Sequence, residues 1–295
     1  MKRDVDSSKL FNKDILSKVK LATVAIGLVD RGKTRPKTIA GSGFIISEKR
    51  YVASALHVVE SCLQLQSTFR ARGEETHIAA FHADSSKEGV VEFQYLPFAV
   101  PLSESIVDIK MPEMHAGWTQ SLNLDIGIAK LMDHKFDLPF LEFKEPTAAL
   151  QLYDEVVMCG YPSGDQSLNV TRLEEGIRFD PILQFGRISN FLPTDNSPNA
   201  LGIQTDIVAT AGSSGSPIVD PNDGAVVAIA QKVIPTFTTL LEPKGYGLAK
   251  IGLVYGASHY LGYVAAETAM QWFATGKRAE IQAKVTGLLG PAFGD

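Results

Sequence analysis

With 295 residues, 45% of them hydrophobic and 21% charged, the chain has the composition of a globular protein able to bury a sizeable core. Its net charge of −5 gives no electrostatic reason to expect nucleic acid or an anionic membrane as partner. No window approaches the roughly eighteen uninterrupted apolar residues of a membrane-spanning helix, so no span is expected.

The N-terminus starts basic (MKRD) but runs through acids and lysines before any apolar stretch. It therefore lacks the apolar core and small-residue cleavage site of a secretory signal, and an intracellular, cytoplasmic protein is expected. Residues 8–21, SKLFNKDILSKVKL, carry apolar residues at helical spacing behind a serine, which predicts a short helix. Strand-like runs follow: ATVAIGLVD, GSGFIIS, YVASAL, HIAAFHA, VVEFQYL, DIGIAKL, EVVMCGY, GRISNF, GIQTDIV, SPIVD, AVVAIAQKV and YGLAKIGLV. They are short, rich in Val and Ile, and broken by Gly, Pro, Asn or Asp, the pattern of an all-β barrel or sandwich. Strands and helices do not alternate, which excludes a doubly wound sheet. Residues 41–61 read as a pair of strands ending in Ala-Leu-His-Val-Val. The alanine-rich AAETAMQWFATGKRAEIQAKVTGLL near the C-terminus has helical spacing, with Gly276 as its break. The two cysteines, Cys62 and Cys159, are too few for a disulfide framework and read as buried reduced thiols.

Three polar signals stand out against this background. Ala209 to Pro221 reads ATAGSSGSPIVDP, a linker-like composition set between two strand-like runs. A nucleophilic serine needs a tight turn that exposes its hydroxyl and aims backbone N–H groups at a developing oxyanion, and glycines permit such a turn. Ser214 fits the nucleophile, with its own N–H and that of Gly212 as the oxyanion hole. Taken alone, the run reads more readily as an ordinary Gly-Ser turn. His57 ends the apolar run YVASALH, where a packed or capping histidine is the plain alternative to a general base. Asp125, inside SLNLDIGIAKL, is either a strand-end residue or a carboxylate that accepts from a histidine and fixes its tautomer.

Together these signals, in the order His57, Asp125, Ser214, resemble the trypsin-like serine peptidases of the chymotrypsin fold, and the HtrA-like branch above all. The matching segments are GSGF, SALHVV, LDIGIAKL and IQTDIVATAGSSGSP, joined by Gly160 and Pro162 in CGYPSG and by Gly186 in QFGRIS. The resemblance covers about residues 22–255 and implies two six-stranded Greek-key barrels packed side by side. The expected boundaries are a 1–21 helical extension, a 22–147 first barrel carrying His57 and Asp125, a 148–255 second barrel carrying Ser214, and a 256–295 helical segment. It implies a serine endopeptidase working through an acyl-enzyme, with a peptide or protein substrate and no cofactor. The chain departs from the family pattern at Ser216, where a second glycine is usual, and at Leu56, where a small residue is usual. Neither change removes a catalytic atom.

The resemblance carries three further expectations. Ser213 replaces the aspartate that pairs with a cleaved N-terminus in secreted relatives, so maturation of that type is not expected. The residues after the last strand leave no room for the PDZ domain common in the HtrA-like branch. The pocket for the residue before the cleaved bond is expected at Val208, Ala209 and Thr210, with Gly247, Leu248 and Ala249 on another wall. No carboxylate stands there to pair a basic side chain, so a small or medium apolar residue is expected. Residues 63–120 exceed what the resemblance requires and read as extra strands and surface loops, or as an exosite or lid. His77 and His82 in that segment lack a third ligand at a usual spacing, so no metal is expected. Two other classes stay in view. One is a catalytically silent binding or chaperone module. The other, an α/β-hydrolase esterase, fails because Ser216 breaks Gly-x-Ser-x-Gly and the triad order is reversed. Natural substrate and oligomeric state are not legible.

Overall fold

The computed structural model describes residues 12–48, 51–84, 92–101, 108–110, 121–123, 125–131, 137–162, 180–192, 202–235 and 252–275. The chain enters through helix α1 (Lys13–Ala22), capped by Asn12, whose side chain accepts from the Asp14 N–H at 3.0 Å. Of the helix expected over 8–21, residues 8–11 lie outside the described residues, and the cap is this asparagine rather than the serine.

The first barrel comprises β1 (Thr23–Asp30), β2 (Pro36–Ile45), β3 (Tyr51–Ser54), β4 (Thr76–Asp84), β5 (Glu92–Pro101) and β8 (Gly127–Leu131). They close antiparallel in the order β1-β2-β3-β8-β5-β4, with β8 inserted between β3 and β5. A separate antiparallel pair, β6 (Asp108–Lys110) and β7 (Ser121–Asn123), lies in the long segment before β8. The second barrel comprises β9 (Glu155–Gly160), β10 (Ile182–Leu192), β11 (Gly202–Ala209), β12 (Pro217–Val219), β13 (Val226–Pro235) and β14 (Gly252–Ser258). It closes in the order β10-β11-β14-β13-β12-β9. Closure removes the exposed edges that short Val/Ile strands would otherwise present. The run expected over 246–254 begins as β14 at Gly252, and residues 246–251 lie outside the described residues.

The sequence reading of 41–61 as two strands is corrected. β3 stops at Ser54, and helix α2 (Leu56–Ala71) begins two residues later, so His57 sits in a helical first turn. The helix buries Leu56, Val58, Val59 and Cys62 against the first barrel. Its N-cap, Ala55, offers no side-chain acceptor; a carboxylate from far along the chain supplies one instead, as described below.

The largest apolar cluster belongs to neither barrel alone. Phe44, Ile126 and Ile128 of the first meet Val157, Val219 and Ile229 of the second, with Leu141 from the connecting segment between them. α1 adds Val19 and Ala22, and helix α3 (His259–Thr275) adds Leu261, Val264 and Ala269. α3 thus begins before the alanine-rich run that predicted it and seals the inter-barrel core. Residues after Thr275, including Gly276, lie outside the described residues. The connecting segment is tied down by Lys144, which pairs with Asp220 and Asp223 in the turn between β12 and β13. Neither cysteine is in a disulfide, and both are buried.

Candidate active site

Ser214 lies in the turn between β11 and β12, His57 in the first turn of α2, and Asp125 just before β8. The structure brings the histidine and the aspartate into direct contact. Asp125 Oδ2 stands 2.5 Å from His57 Nδ1, and Oδ1 accepts the His57 backbone N–H at 2.8 Å. An ionised carboxylate only accepts, so the ring proton belongs on Nδ1 and the lone pair on Nε2. The same carboxylate also satisfies a backbone donor that the start of α2 leaves open. Asp125 is largely enclosed while His57 stays open, their side chains being 13% and 42% exposed.

Ser214 approaches α2 closely. A Cβ on Gly41 of β2 would lie 2.9 Å from the Ser214 carbonyl and equally near a Val58 methyl, so this glycine makes room for the turn against the helix. In this state the Ser214 hydroxyl donates to the Gln231 carbonyl at 3.3 Å. The Gln231 side chain in turn donates to the Asp125 carbonyl at 3.0 Å, so one residue of β13 links the serine and the aspartate. Sequence reasoning missed Gln231. The available signal was an amide side chain inside the apolar run AVVAIAQKV, and it is buried.

The turn around Ser214 requires its glycines. Gly212 and Gly215 adopt φ of 92° and 85°, where a side chain is strained. The N–H of Ser213 donates to Thr210 O (3.2 Å), that of Gly215 to Ala230 O (2.7 Å) and that of Ser216 to Ser213 O (3.1 Å). Among the described residues, the N–H groups of Gly212 and Ser214 have no acceptor. The departure at Ser216 is accommodated by a glycine. Ser216 Oγ packs where a Cβ on Gly160 would be, while the Leu56 side chain is buried in the core. Of the pocket residues expected from sequence, Val208 is 52% exposed, Ala209 is buried, and Thr210 closes the turn through its carbonyl. Gly247, Leu248 and Ala249 lie outside the described residues. Among the described residues no group of three or more His, Cys, Asp or Glu side chains is placed to hold a metal ion, and no helix is long and apolar enough to cross a membrane.

Two closed antiparallel six-stranded barrels, one carrying a glycine-rich serine turn and the other a His–Asp pair, are the architecture of the chymotrypsin fold. The chain belongs to the trypsin-like peptidase family, whose domain matches residues 41–229. Among solved structures it is similar to the HtrA-type protease AlgW in complex with a decapeptide. The two share 14% identity with a TM-score of 0.51, over 87% of this chain and 66% of that one. It is also similar to Deg5, at 15% identity and a TM-score of 0.45, over 74% of this chain and 83% of that one. The chain thus spans just under two thirds of the length of AlgW. No curated protein matches it in sequence.

Proposed function

We propose that the protein hydrolyses peptide bonds through an acyl-enzyme formed on Ser214, with His57 as general base and Asp125 as its orienting carboxylate. The observation that carries this reading is the Asp125 carboxylate bound at once to the His57 backbone N–H and to Nδ1. That double contact holds the ring in one tautomer with Nε2 free to take a proton. Ser214 Oγ attacks the scissile carbonyl and its proton passes to Nε2. The imidazolium then returns that proton to the leaving amine, and water repeats the sequence on the ester. The N–H groups of Gly212 and Ser214 receive the oxyanion in both halves. The substrate is an extended peptide with a small or medium apolar residue before the cleaved bond, since 208–210 carry no carboxylate. The neutral turn and uncharged Val208 support that preference.

One observation favours a second reading, a protease-fold binding module without turnover: the Ser214 hydroxyl is engaged by Gln231 O rather than by His57. A fluorophosphonate probe separates the two. Rapid stoichiometric labelling lost in Ser214→Ala is expected, together with loss of hydrolysis on the order of a millionfold. Wild-type protein that is folded yet inert to the probe and to a broad peptide library would sink the enzyme reading.

A further inference from the structure

The N–H groups assigned to the oxyanion are those of Gly212 and Ser214, and one residue of the other barrel holds the carbonyls of these same two residues. The Ser42 backbone N–H donates to the Ser214 carbonyl at 2.8 Å, and the Ser42 hydroxyl donates to the Gly212 carbonyl at 2.8 Å. The same hydroxyl accepts the Tyr161 N–H at 2.9 Å, just past the end of β9. Ser42's own carbonyl accepts from the Ser54 hydroxyl at 2.7 Å, on the neighbouring strand. Ser42 is fully buried, so each of these bonds lies away from water, where a lost partner is expensive. Gly215 supplies the clearance: with φ of 85° it packs its Cα against the Ser42 carbonyl, where a Cβ would overlap.

We infer that Ser42 is the positioning residue of the oxyanion hole, anchoring Gly212 and Ser214 by their carbonyls from the first barrel so that the turn presents their N–H groups to the reacting carbonyl. A Gly212 at φ 92° has an open set of alternative φ and ψ values, and a change in them would turn its N–H away from the reacting carbonyl. The hydroxyl of Ser42 restrains that change by fixing the Gly212 carbonyl, on the far side of the Cα from the N–H. Its backbone N–H holds Ser214 whatever the side chain at 42, so the hydroxyl acts selectively on Gly212. The inference rests on the reading of the site as a peptidase.

Its test is Ser42→Ala. Removing the hydroxyl is expected to lower kcat roughly 10- to 100-fold, short of the 10²–10³ that accompanies outright loss of an oxyanion donor. KM is expected to hold within about twofold, because the ground-state peptide does not depend on the hole. A peptide boronic acid, which forms a tetrahedral adduct on Ser214, is expected to lose affinity in parallel with kcat, while the matching uncleavable peptide does not. A purely structural role would lower stability without splitting the two ligands. Should the alanine variant fail to fold, Ser42→Cys keeps the shape and offers only a weak donor, and the same kcat loss is expected from it. Wild-type kcat and boronate affinity in either folded variant overturn the role of Ser42. If Ser214→Ala is inactive at the same time, the peptidase reading stands and only the Ser42 clamp falls; if Ser214→Ala keeps its activity, the site itself is misassigned.

Discussion

At the scale of single residues, Asp125 does two tasks with two oxygens, and they separate by substitution. Asp125→Asn keeps an oxygen to accept the His57 backbone N–H but places an amide where the ring needs an acceptor. It is expected to lose about 10⁴ in kcat, the order seen when such a carboxylate becomes an amide, with little change in melting temperature. Asp125→Ala is expected to lose activity likewise and to destabilise by about 1 kcal/mol more, as an uncapped helix start does. Steady-state kinetics beside calorimetry on the two variants decides it; equal stability in both would deny the capping role. Ser216 and Gly160 form a second separable pair. Gly160→Ala drives a methyl into Ser216 Oγ and should cost roughly 1–3 kcal/mol, as overpacking does. Adding Ser216→Gly should recover most of that loss, and denaturant titration of the four proteins measures the coupling.

At the scale of elements, α2 and the connecting segment show how distant parts of the chain place local structure. LHVVES is β-branched at its centre and reads as a strand end, yet it is helical because its apolar residues face the barrel and Asp125 closes its first turn. The connecting segment is held by Lys144. Burial lowers the Lys144 pKa, but hydrogen bonds from its ammonium to Asp220 and Asp223 outweigh that and raise it. Burial likewise pushes the Asp220 carboxyl up, while donors from Lys144 and Asn222 prevail and hold it below the ordinary carboxylate range. A depressed carboxylate contributes stability that is present above its unfolded value and lost as pH falls through its folded one. The wild type should therefore lose this contribution only in acid. Lys144→Met should be less stable near neutrality by roughly 1.5–3 kcal/mol, the range for hydrogen bonds to charged groups. Its stability should also fall less steeply below the carboxylate range, which melting temperatures across an acid pH series would show. Parallel acid profiles for the two proteins would rule the pairing out as a source of stability.

At the scale of the whole molecule, the shared core makes the barrels one cooperative unit. Val157 and Cys159 of the second barrel are packed with Phe44 and Ile126 of the first and with both terminal helices. Cys62 lies in the separate core of the first barrel. Burial pushes the Cys159 thiol up to about 12, so it stays protonated and unreactive in the folded state. A chromogenic disulfide reagent is expected to find neither thiol in native protein and both on unfolding, in a single transition that coincides with loss of barrel circular dichroism. Two labelling steps at different denaturant concentrations would show that the barrels come apart independently.

The sequence by itself determined the class of fold and the candidate triad, because both are written locally. Short Val/Ile runs punctuated by Gly and Pro specify strands whatever their neighbours, and GSGF, SALHVV, LDIGIAKL and AGSSGSP each keep their chemistry within a few residues. The twelve barrel strands needed only such local signals, whereas β6 and β7 match none of the quoted runs. Only the tertiary structure decided that His57 stands on a helix, that Gln231 joins Ser214 to Asp125, and that Ser42 holds the serine turn. None of these roles is legible locally: a helix start capped from Asp125 contradicts its own β-branched sequence, and a serine in a strand or an amide inside an apolar run shows its purpose only when its partner, more than a hundred residues away, is folded against it. The pocket walls at 247–249 fall in neither category, since they depend on a segment that sequence alone assigns by resemblance.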